Sequence, residues 1–246
     1  MNYYFLLEDS KSFIKILKKW LEYLEFPCTR VADIKDVENN NYVLQSGHGV
    51  TQLVTQALFD TIDTIEHNPQ KIDKLVIVLD AENETVDSRK QQVICKIAEK
   101  YDIEELDFEI NIFVCNCCTE TWLLGKENMY PLPHEAESDS KNYHYFIKHF
   151  KDHYYHYNVE HNDPELMSSP IGRGENKPQY HFRYFHDLCL YNNLTKKETL
   201  KYTKSKPQIA MDKSFFDSLM ERIYSTEHLK SLRKFIDFLK DTGRYT

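Results

Sequence analysis

Acidic residues follow two short apolar runs of this sequence. Residues 3–7 form one run and are followed by Glu8, and residues 75–79 form the other and are followed by Asp80. If these runs are strands of an open α/β sheet, both acids lie at strand carboxyl ends, where such sheets present their functional groups. Carboxylate oxygens suit Mg²⁺ or Mn²⁺, and a protein commonly supplies only one or two carboxylates per Mg²⁺. The pattern therefore predicts a divalent-cation site with positions left for water and a substrate phosphate.

Two further acids extend the candidate site. Glu82 follows Asp80 by two positions, and Glu120 lies in the later segment 118–124. A group of carboxylates repels a phosphate unless a cation is bound, so the metal would be needed both for assembly and for turnover. The alternative interpretation is that the four acids are solvated residues at strand ends, where polar side chains are common.

Alternating strand and helix patterns supply the elements that position these acids. Short apolar runs predict strands, and apolar residues at helical spacing predict the helices between them. We predict strands at residues 3–7, 28–31, 42–45, 74–79 and 108–114, and helices at 13–24, 50–65 and 86–100. This order lacks hairpin turns, so it predicts an α/β fold with a parallel sheet and helices on both faces, through about residue 125.

The later part of the chain has a helical pattern. Residues 131–140 are polar and include two prolines, which is typical of a linker or an exposed loop. Helical spacing follows at 143–157, 181–191, 196–204 and 215–240, with a candidate break near Ser225 and a loop at 168–179. We therefore predict an α/β domain in residues 1–130 and an α-helical C-terminal extension in residues 131–246.

Composition and charge narrow the class of protein. The 246 residues are 41% hydrophobic and include 17 Tyr and 14 Phe, which indicates a folded globular chain. No apolar run approaches the roughly 20 residues of a spanning helix, and the N-terminus lacks a basic flank before an apolar stretch, so we expect a cytoplasmic protein without a membrane partner. The net charge is −8, yet residues 139–246 carry 18 Lys and Arg against 14 Asp and Glu, so this part is the expected contact for a polyanion.

The six cysteines predict reduced thiols rather than a disulfide framework. Three lie together at positions 115, 117 and 118, and the others lie in apolar surroundings. Cys115 and Cys118 have the spacing of zinc ligands, but the sequence has no second CxxC pair to complete a tetrahedral site. We therefore expect mostly buried thiols of a cytosolic protein.

The order of the acidic motifs resembles that of the Toprim domain, a family that includes topoisomerases, bacterial primases, OLD-type nucleases and Toprim-like nucleases of anti-phage systems. Glu8 matches the family's glutamate after the first strand, and residues 46–48 look like its Gly-His element. Asp80 and Glu82 occupy its Asp-x-Asp position. Glu120 falls where OLD nucleases carry Ser-x-Glu, and residues 120–124 are similar to the Glu-x-Trp-Leu-Leu segment of RloB-like proteins.

The resemblance implies a Toprim-like fold and a metal-dependent endonuclease that cleaves phosphodiester bonds in DNA or tRNA with Mg²⁺ or Mn²⁺. It also implies an effector of an anti-phage system with an ABC- or SMC-like ATPase as a partner. The chain itself contains no Walker A sequence. Asp80, Glu82 and Glu120 would hold one or two ions. Glu8 would orient water, accept a proton or join the metal shell.

Basic residues supply the candidate substrate contacts. His48 either contacts a phosphate or caps the following helix through its flanking glycines. OLD-type enzymes use a lysine in their later portion, which makes Lys141, Lys204 and Lys206 candidates, and no local motif selects one of them.

Glu82 departs from the family pattern because it replaces the usual second aspartate. Its extra methylene shifts the carboxylate by about an ångström, and Mg²⁺ requires a nearly octahedral shell. The alternative function is therefore a catalytically inactive Toprim-like subunit that binds or regulates within such a complex.

Overall fold

A single parallel sheet of five strands organises the computed structural model, which describes residues 1–9, 11–129, 148, 159, 162–168, 174–195, 200 and 202–241. The strands are β1 (Tyr3–Leu7), β2 (Thr29–Arg30), β3 (Asn41–Ser46), β4 (Lys74–Asp80) and β5 (Glu109–Cys115). Their order in the sheet is β2-β3-β1-β4-β5. The predicted α/β class with a parallel sheet is therefore confirmed.

The two central strands are buried on both faces. Every residue of β1 is buried, and so are residues 75–79 of β4, as expected of parallel strands that are covered on both sides. In the register, Leu7 pairs with Val78, and Asp80 pairs with Cys115. The carboxyl ends of β1, β4 and β5 consequently lie at the same edge of the sheet.

Helices cover the two faces. The described helices are α1 (Phe13–Tyr23), α2 (Val50–Gln52), α3 (Leu58–Glu66), α4 (Val86–Ala98), α5 (Thr119–Leu123), α6 (Lys177–Thr195), α7 (Lys213–Ser225) and α8 (Lys230–Asp241), and a π-helical turn (Leu53–Ala57) joins α2 to α3. One hydrophobic cluster joins Leu6 and Ile77 of the sheet to α3 and α4, and another joins Phe5 and Val76 to α1 and the later helices. None of the described helices is both long and apolar enough to cross a membrane.

The later helices share a hydrophobic core with the sheet and α1. Trp20 of α1 donates a hydrogen bond of 3.0 Å from Nε1 to the carbonyl oxygen of Ala210. Trp122 of α5 stacks on Phe235 of α8 with ring centroids 5.8 Å apart. The predicted boundary at residue 130 and the predicted linker 131–140 lie outside the described residues, so the division into two domains stays a prediction.

Several predicted helix bounds in the later part need correction. The helix predicted at 196–204 is wrong for its described end, because Thr203 and Lys206 form an antiparallel bridge and a tight turn there. The loop predicted to reach residue 179 ends earlier, because α6 begins at Lys177. The break near Ser225 is confirmed, whereas the helix predicted at 143–157 lies almost wholly outside the described residues.

Candidate metal centre

A cavity of about 220 Å³ opens at the carboxyl edge of the sheet. It lies where β1 and β4 end and where α5 begins, which is the crevice that open α/β sheets use for ligands. The residues that line it are Glu8, Asp9, His48, Gly49, Asp80, Thr119, Glu120 and Lys204. The fold thus brings together three of the four predicted acids, the predicted histidine and one of the predicted lysines.

Glu8 is tied to the end of the neighbouring strand. Its backbone amide extends the ladder of β1 by donating a bond of 2.9 Å to the carbonyl oxygen of Val78. Its side-chain Oε2 accepts a bond of 2.7 Å from the backbone amide of Asp80. Burial raises the pKa of Glu8 and the nearby charge of Glu82 adds to this, while the amide bond opposes it. Glu8 is therefore both fixed in orientation and more basic than an ordinary glutamate.

Asp80 is the last residue of β4 and faces the other acids. Its Oδ1 accepts a hydrogen bond of 3.3 Å from the hydroxyl of Thr119. Burial raises the pKa of Asp80 well above its usual range, and the charges of Glu8 and Glu120 raise it further. The carboxylates thus repel one another in this cavity, which is the condition that a bound cation relieves.

Glu120 reaches the cavity from the first turn of α5 and is 2% exposed. The hydroxyl of Tyr202 donates a hydrogen bond of 2.8 Å to its Oε1. Burial and the charge of Glu120 raise the pKa of Tyr202, so this hydroxyl keeps its proton and acts as a donor. Tyr202 was not predicted from the sequence, because nothing near residue 202 indicates contact with a residue 82 positions earlier.

Lys204 is the lysine that the fold selects. It lines the cavity, and the negative charge of Glu120, followed by that of Asp80, raises its pKa above the ordinary lysine value. Lys206 is exposed and does not line the cavity, because the turn closed by its bridge to Thr203 leaves it on the outer side. Lys141 lies outside the described residues.

Glu82 is close to the cavity but is not one of its lining residues. Its backbone adopts a φ of 54°, in the left-handed region, and its amide donates a bond of 2.7 Å to the carbonyl oxygen of Cys117. The side chain is 43% exposed, and its Oε2 lies 3.7 Å from a guanidinium nitrogen of Arg89. The turn after β4 therefore directs Glu82 toward Arg89, so this predicted metal ligand does not line the cavity, although its charge still acts on Glu8.

His48 lies on the exposed rim, between two glycines. Gly49 is the residue that precedes the first turn of α2, and its amide donates a bond of 2.9 Å to the carbonyl oxygen of Glu8. The helix start is therefore provided by Gly49, whose φ of 103° suits a glycine. His48 is one of the residues that line the cavity, which favours phosphate contact over the helix-capping alternative.

Asp9 and Thr119 complete the lining, and neither was predicted. Asp9 accepts bonds from the backbone amides of Lys11 and Ser12, at 2.5 and 3.2 Å, so it also serves the start of α1. Its position directly after Glu8 is the signal that identifies it. Thr119 had no signal beyond its place next to Glu120.

The donor set fits a hard divalent cation. Glu8, Asp9, Asp80 and Glu120 offer carboxylate oxygens. The pKa values of Glu8 and Asp80 are raised by burial first and by neighbouring acids second. Oxygen ligands with positions left for water are what Mg²⁺ and Mn²⁺ prefer. The acids that line the cavity are therefore the candidate ligands for such an ion, and Lys204 is the candidate contact for a phosphate.

Comparisons with protein-family models, with curated proteins and with solved structures found no match for this chain. Parallel α/β sheets host many unrelated activities, so the fold class alone does not identify a reaction. The function is therefore inferred from the side chains of the cavity.

Proposed function

We propose that this chain is a Toprim-like, metal-dependent endonuclease that hydrolyses phosphodiester bonds in DNA or tRNA. The observation that carries the proposal is the convergence of Glu8, Asp80 and Glu120 on one cavity at the carboxyl edge of the sheet. Acids with raised pKa values in a cleft are typical of functional sites. The same three acids belong to the motifs that resemble those of Toprim nucleases, whereas Glu82, the second acid of the Asp-x-Asp position, does not line the cavity.

The roles follow from the position and the charge of each side chain. Asp80, Glu120 and Glu8 would hold Mg²⁺ or Mn²⁺, which would polarise the phosphodiester and stabilise the attacking and leaving oxygens. If Glu8 does not join the metal shell, it would orient the attacking water and accept its proton, a role that its raised pKa favours. Thr119 holds Asp80 in place through their hydrogen bond.

Two side chains at the cavity, one lysine and one histidine, would contact the nucleic acid. Lys204 and His48 both line the cavity and are both exposed, so each can reach a phosphate on an incoming strand. Lys204 would offset the phosphate charge in a site that is otherwise acidic. The anti-phage role and the ABC- or SMC-like ATPase partner belong to the proposal through the family resemblance alone.

The proposal is tested by cleavage of three substrates. Purified protein is incubated with plasmid, single-stranded DNA and tRNA in Mg²⁺, in Mn²⁺ and in chelator, with and without a candidate ATPase partner. We expect cleavage of at least one substrate only with metal. Asp80→Asn and Glu120→Gln should lower the rate by about 10³-fold or more, since each removes a charge that acts on the reacting centre. Lys204→Met should mainly weaken substrate binding.

A matched control separates the site from general surface charge. Glu105 is an exposed acid away from the cavity, so Glu105→Gln makes the same chemical change without touching the site. It should retain full activity. Cleavage that persists in Asp80→Asn, or that survives the chelator, contradicts the proposal.

One observation favours a second candidate function. Glu82 is not among the residues that line the cavity. Of the two acids at the Asp-x-Asp position, only Asp80 therefore contributes to the site. A binding or regulatory subunit that keeps the fold without the chemistry has this property. Metal binding at Asp80 without cleavage of any substrate, under any metal and with the ATPase partner present, would favour this second function.

A further inference from the structure

Two thiols and an imidazole form a buried cluster beside the carboxylate cavity and separate from its lining. Cys117 and Cys118 immediately precede α5, and His181 belongs to α6. Their exposed fractions are 1%, 3% and 0%. One candidate ligand atom from each lies within 4.8 Å of the other two. Cys115, which the CxxC spacing pairs with Cys118, is not part of this group.

The backbone at Cys117 is unusual in a way that suits this cluster. Its φ is 83°, a region that residues other than glycine rarely adopt. In an extended chain, consecutive side chains point in opposite directions, whereas here two consecutive thiols approach the same imidazole. Backbone of this kind persists only where the surroundings hold it, and it is concentrated at functional sites.

The hydrogen bonds of His181 leave one ring nitrogen as an electron-pair donor. Nε2 lies 2.9 Å from the carbonyl oxygen of Met167, which can only accept, so Nε2 carries the hydrogen. In the neutral ring, Nδ1 is then unprotonated. Metal-bound histidines almost always donate their other N–H to a carbonyl or a carboxylate in this way.

The hydroxyl of Thr121 lies next to this donor nitrogen. It is 2.7 Å from Nδ1 of His181 and 3.6 Å from Sγ of Cys118. In the empty cluster this hydroxyl donates to Nδ1 and so occupies the side of the ring where a metal ion would bind. Binding at Nδ1 therefore requires the Thr121 side chain to turn away, and the Cys118 sulfur, 3.6 Å from the hydroxyl, is a nearby alternative acceptor for its hydrogen.

We propose that Cys117, Cys118 and His181 bind one Zn²⁺ ion. Two thiolates and an imidazole are the ligands that zinc prefers, and they contrast with the oxygen-only set of the neighbouring cavity. Because Cys118 directly precedes α5 and His181 lies in α6, the ion would join these two helices. It would thereby fix the start of the helix that carries Glu120.

Zinc titration of the full chain tests this proposal. The reduced, metal-free protein is titrated with Zn²⁺ against a chromophoric chelator, and Co²⁺ serves as a spectroscopic probe for thiolate ligands. We expect one equivalent to bind, with a thiolate-to-cobalt charge-transfer band that Zn²⁺ removes and excess Mg²⁺ does not. Saturation with Zn²⁺ should also slow alkylation of Cys117 and Cys118 in the parent protein, measured at the urea concentration at which these buried thiols of the metal-free protein become reactive. This measurement requires no variant.

Variants locate the ion. Cys117→Ser and His181→Gln should weaken Zn²⁺ binding by more than the roughly 10- to 100-fold that loss of an outer-shell partner typically costs. Cys95→Ser is the matched control, because Cys95 is an exposed thiol away from the cluster. The proposal is overturned if the parent gives no charge-transfer band, if Zn²⁺ leaves the alkylation of both cysteines unchanged, or if Cys95→Ser removes the binding.

The outcome is independent of the nuclease proposal. Asp80→Asn should bind Zn²⁺ like the parent while losing its response to Mg²⁺. A failure of zinc binding therefore leaves the carboxylate site untouched, and a failure of cleavage leaves the zinc site untouched.

Discussion

The backbone amide of Asp80 donates a hydrogen bond of 2.7 Å to Oε2 of Glu8, which lies 72 positions earlier in the chain. The bond joins the ends of two neighbouring parallel strands, where the ladder of the sheet stops. It therefore does two things at once, because it satisfies a backbone donor and it sets the direction of a carboxylate that lines the cavity.

Replacing Glu8 should separate its structural role from its chemical role. Glu8→Gln keeps an oxygen that can accept the Asp80 amide, whereas Glu8→Ala leaves that partly buried donor unpaired. We expect Glu8→Ala to lower the free energy of unfolding by about 1–3 kcal/mol relative to Glu8→Gln, measured by urea unfolding in chelator. Both variants should lose cleavage. Equal stability of the two variants would show that the hydrogen bond does not contribute.

Neutralising Asp80 should stabilise the metal-free protein. The carboxylate of Asp80 is held among other acids at a cost, so Asp80→Asn should raise the free energy of unfolding in chelator, by about 1 kcal/mol. In saturating Mg²⁺ the order should reverse, because only the parent gains stability from binding the ion. Thermal unfolding of both proteins with and without metal measures this, and a variant that is less stable in chelator contradicts it.

The same carboxylate predicts a pH dependence. In the folded state the pKa of Asp80 is raised above its ordinary value of 3.8, and that of Glu8 is raised as well. Folding therefore favours the protonated forms, so their contribution to stability is present at low pH and is lost as the pH rises through the folded-state pKa values. Between mildly acidic and neutral pH, the stability of the metal-free parent should fall more than that of Asp80→Asn. Parallel curves for the two proteins would argue against the raised pKa.

Tyr202 should act as a positioning residue for Glu120. Tyr202→Phe removes the hydroxyl that donates to Oε1 and leaves the ring in its packed position against Phe185. We expect a loss of metal affinity and of kcat of roughly 10- to 100-fold, as for other outer-shell partners of metal ligands, with KM for the nucleic acid little changed. Metal-dependence curves of the rate measure the affinity. If the rate is unchanged at every metal concentration, the bond has no role in the site.

Gly47 should be required for the loop that carries His48. A Cβ built at this position would lie 2.7 Å from Cβ of Leu53, the first residue of the π-helical turn, so Gly47→Ala forces the loop or this turn to move. Overpacking of this kind costs typically about 1–3 kcal/mol, which urea unfolding can measure. Gly49→Ala is the comparison, because a Cβ there meets nothing within 4 Å. Any loss of stability in that variant would come from backbone strain at a φ of 103°, not from overpacking.

The positions of β1 and β4 were predictable because few other elements fit a continuous apolar run of strand length. The apolar run of residues 3–7 coincides with β1, and the run 74–79 falls one residue short of β4. Continuous apolar residues of strand length, each run followed by a carboxylate, fit a parallel strand that is buried on both faces. Local pattern also gave the break at Ser225, since α7 ends there.

The later part was less predictable because its elements depend on distant contacts. Residues 196–204 have helical spacing, yet their described end forms a turn that places Tyr202 against Glu120 and Lys204 in the cavity. Hydrophobic periodicity is a local property of the sequence, so it does not report the stabilisation that such a long-range contact provides. For the same reason the sequence could not distinguish Lys204 from Lys141 and Lys206 as the substrate contact.

The sequence by itself determined that acids follow strands β1 and β4, because apolar runs and their polar ends are local properties of the chain. Only the tertiary structure decided which side chains meet: it placed Glu120 beside Asp80, directed Glu82 toward Arg89 and joined Cys117 to His181. These choices depend on backbone turns after the strands and on the packing of α5 against α6. Such turns reorient a side chain by a rotation about one or two bonds, which residue type and spacing do not specify.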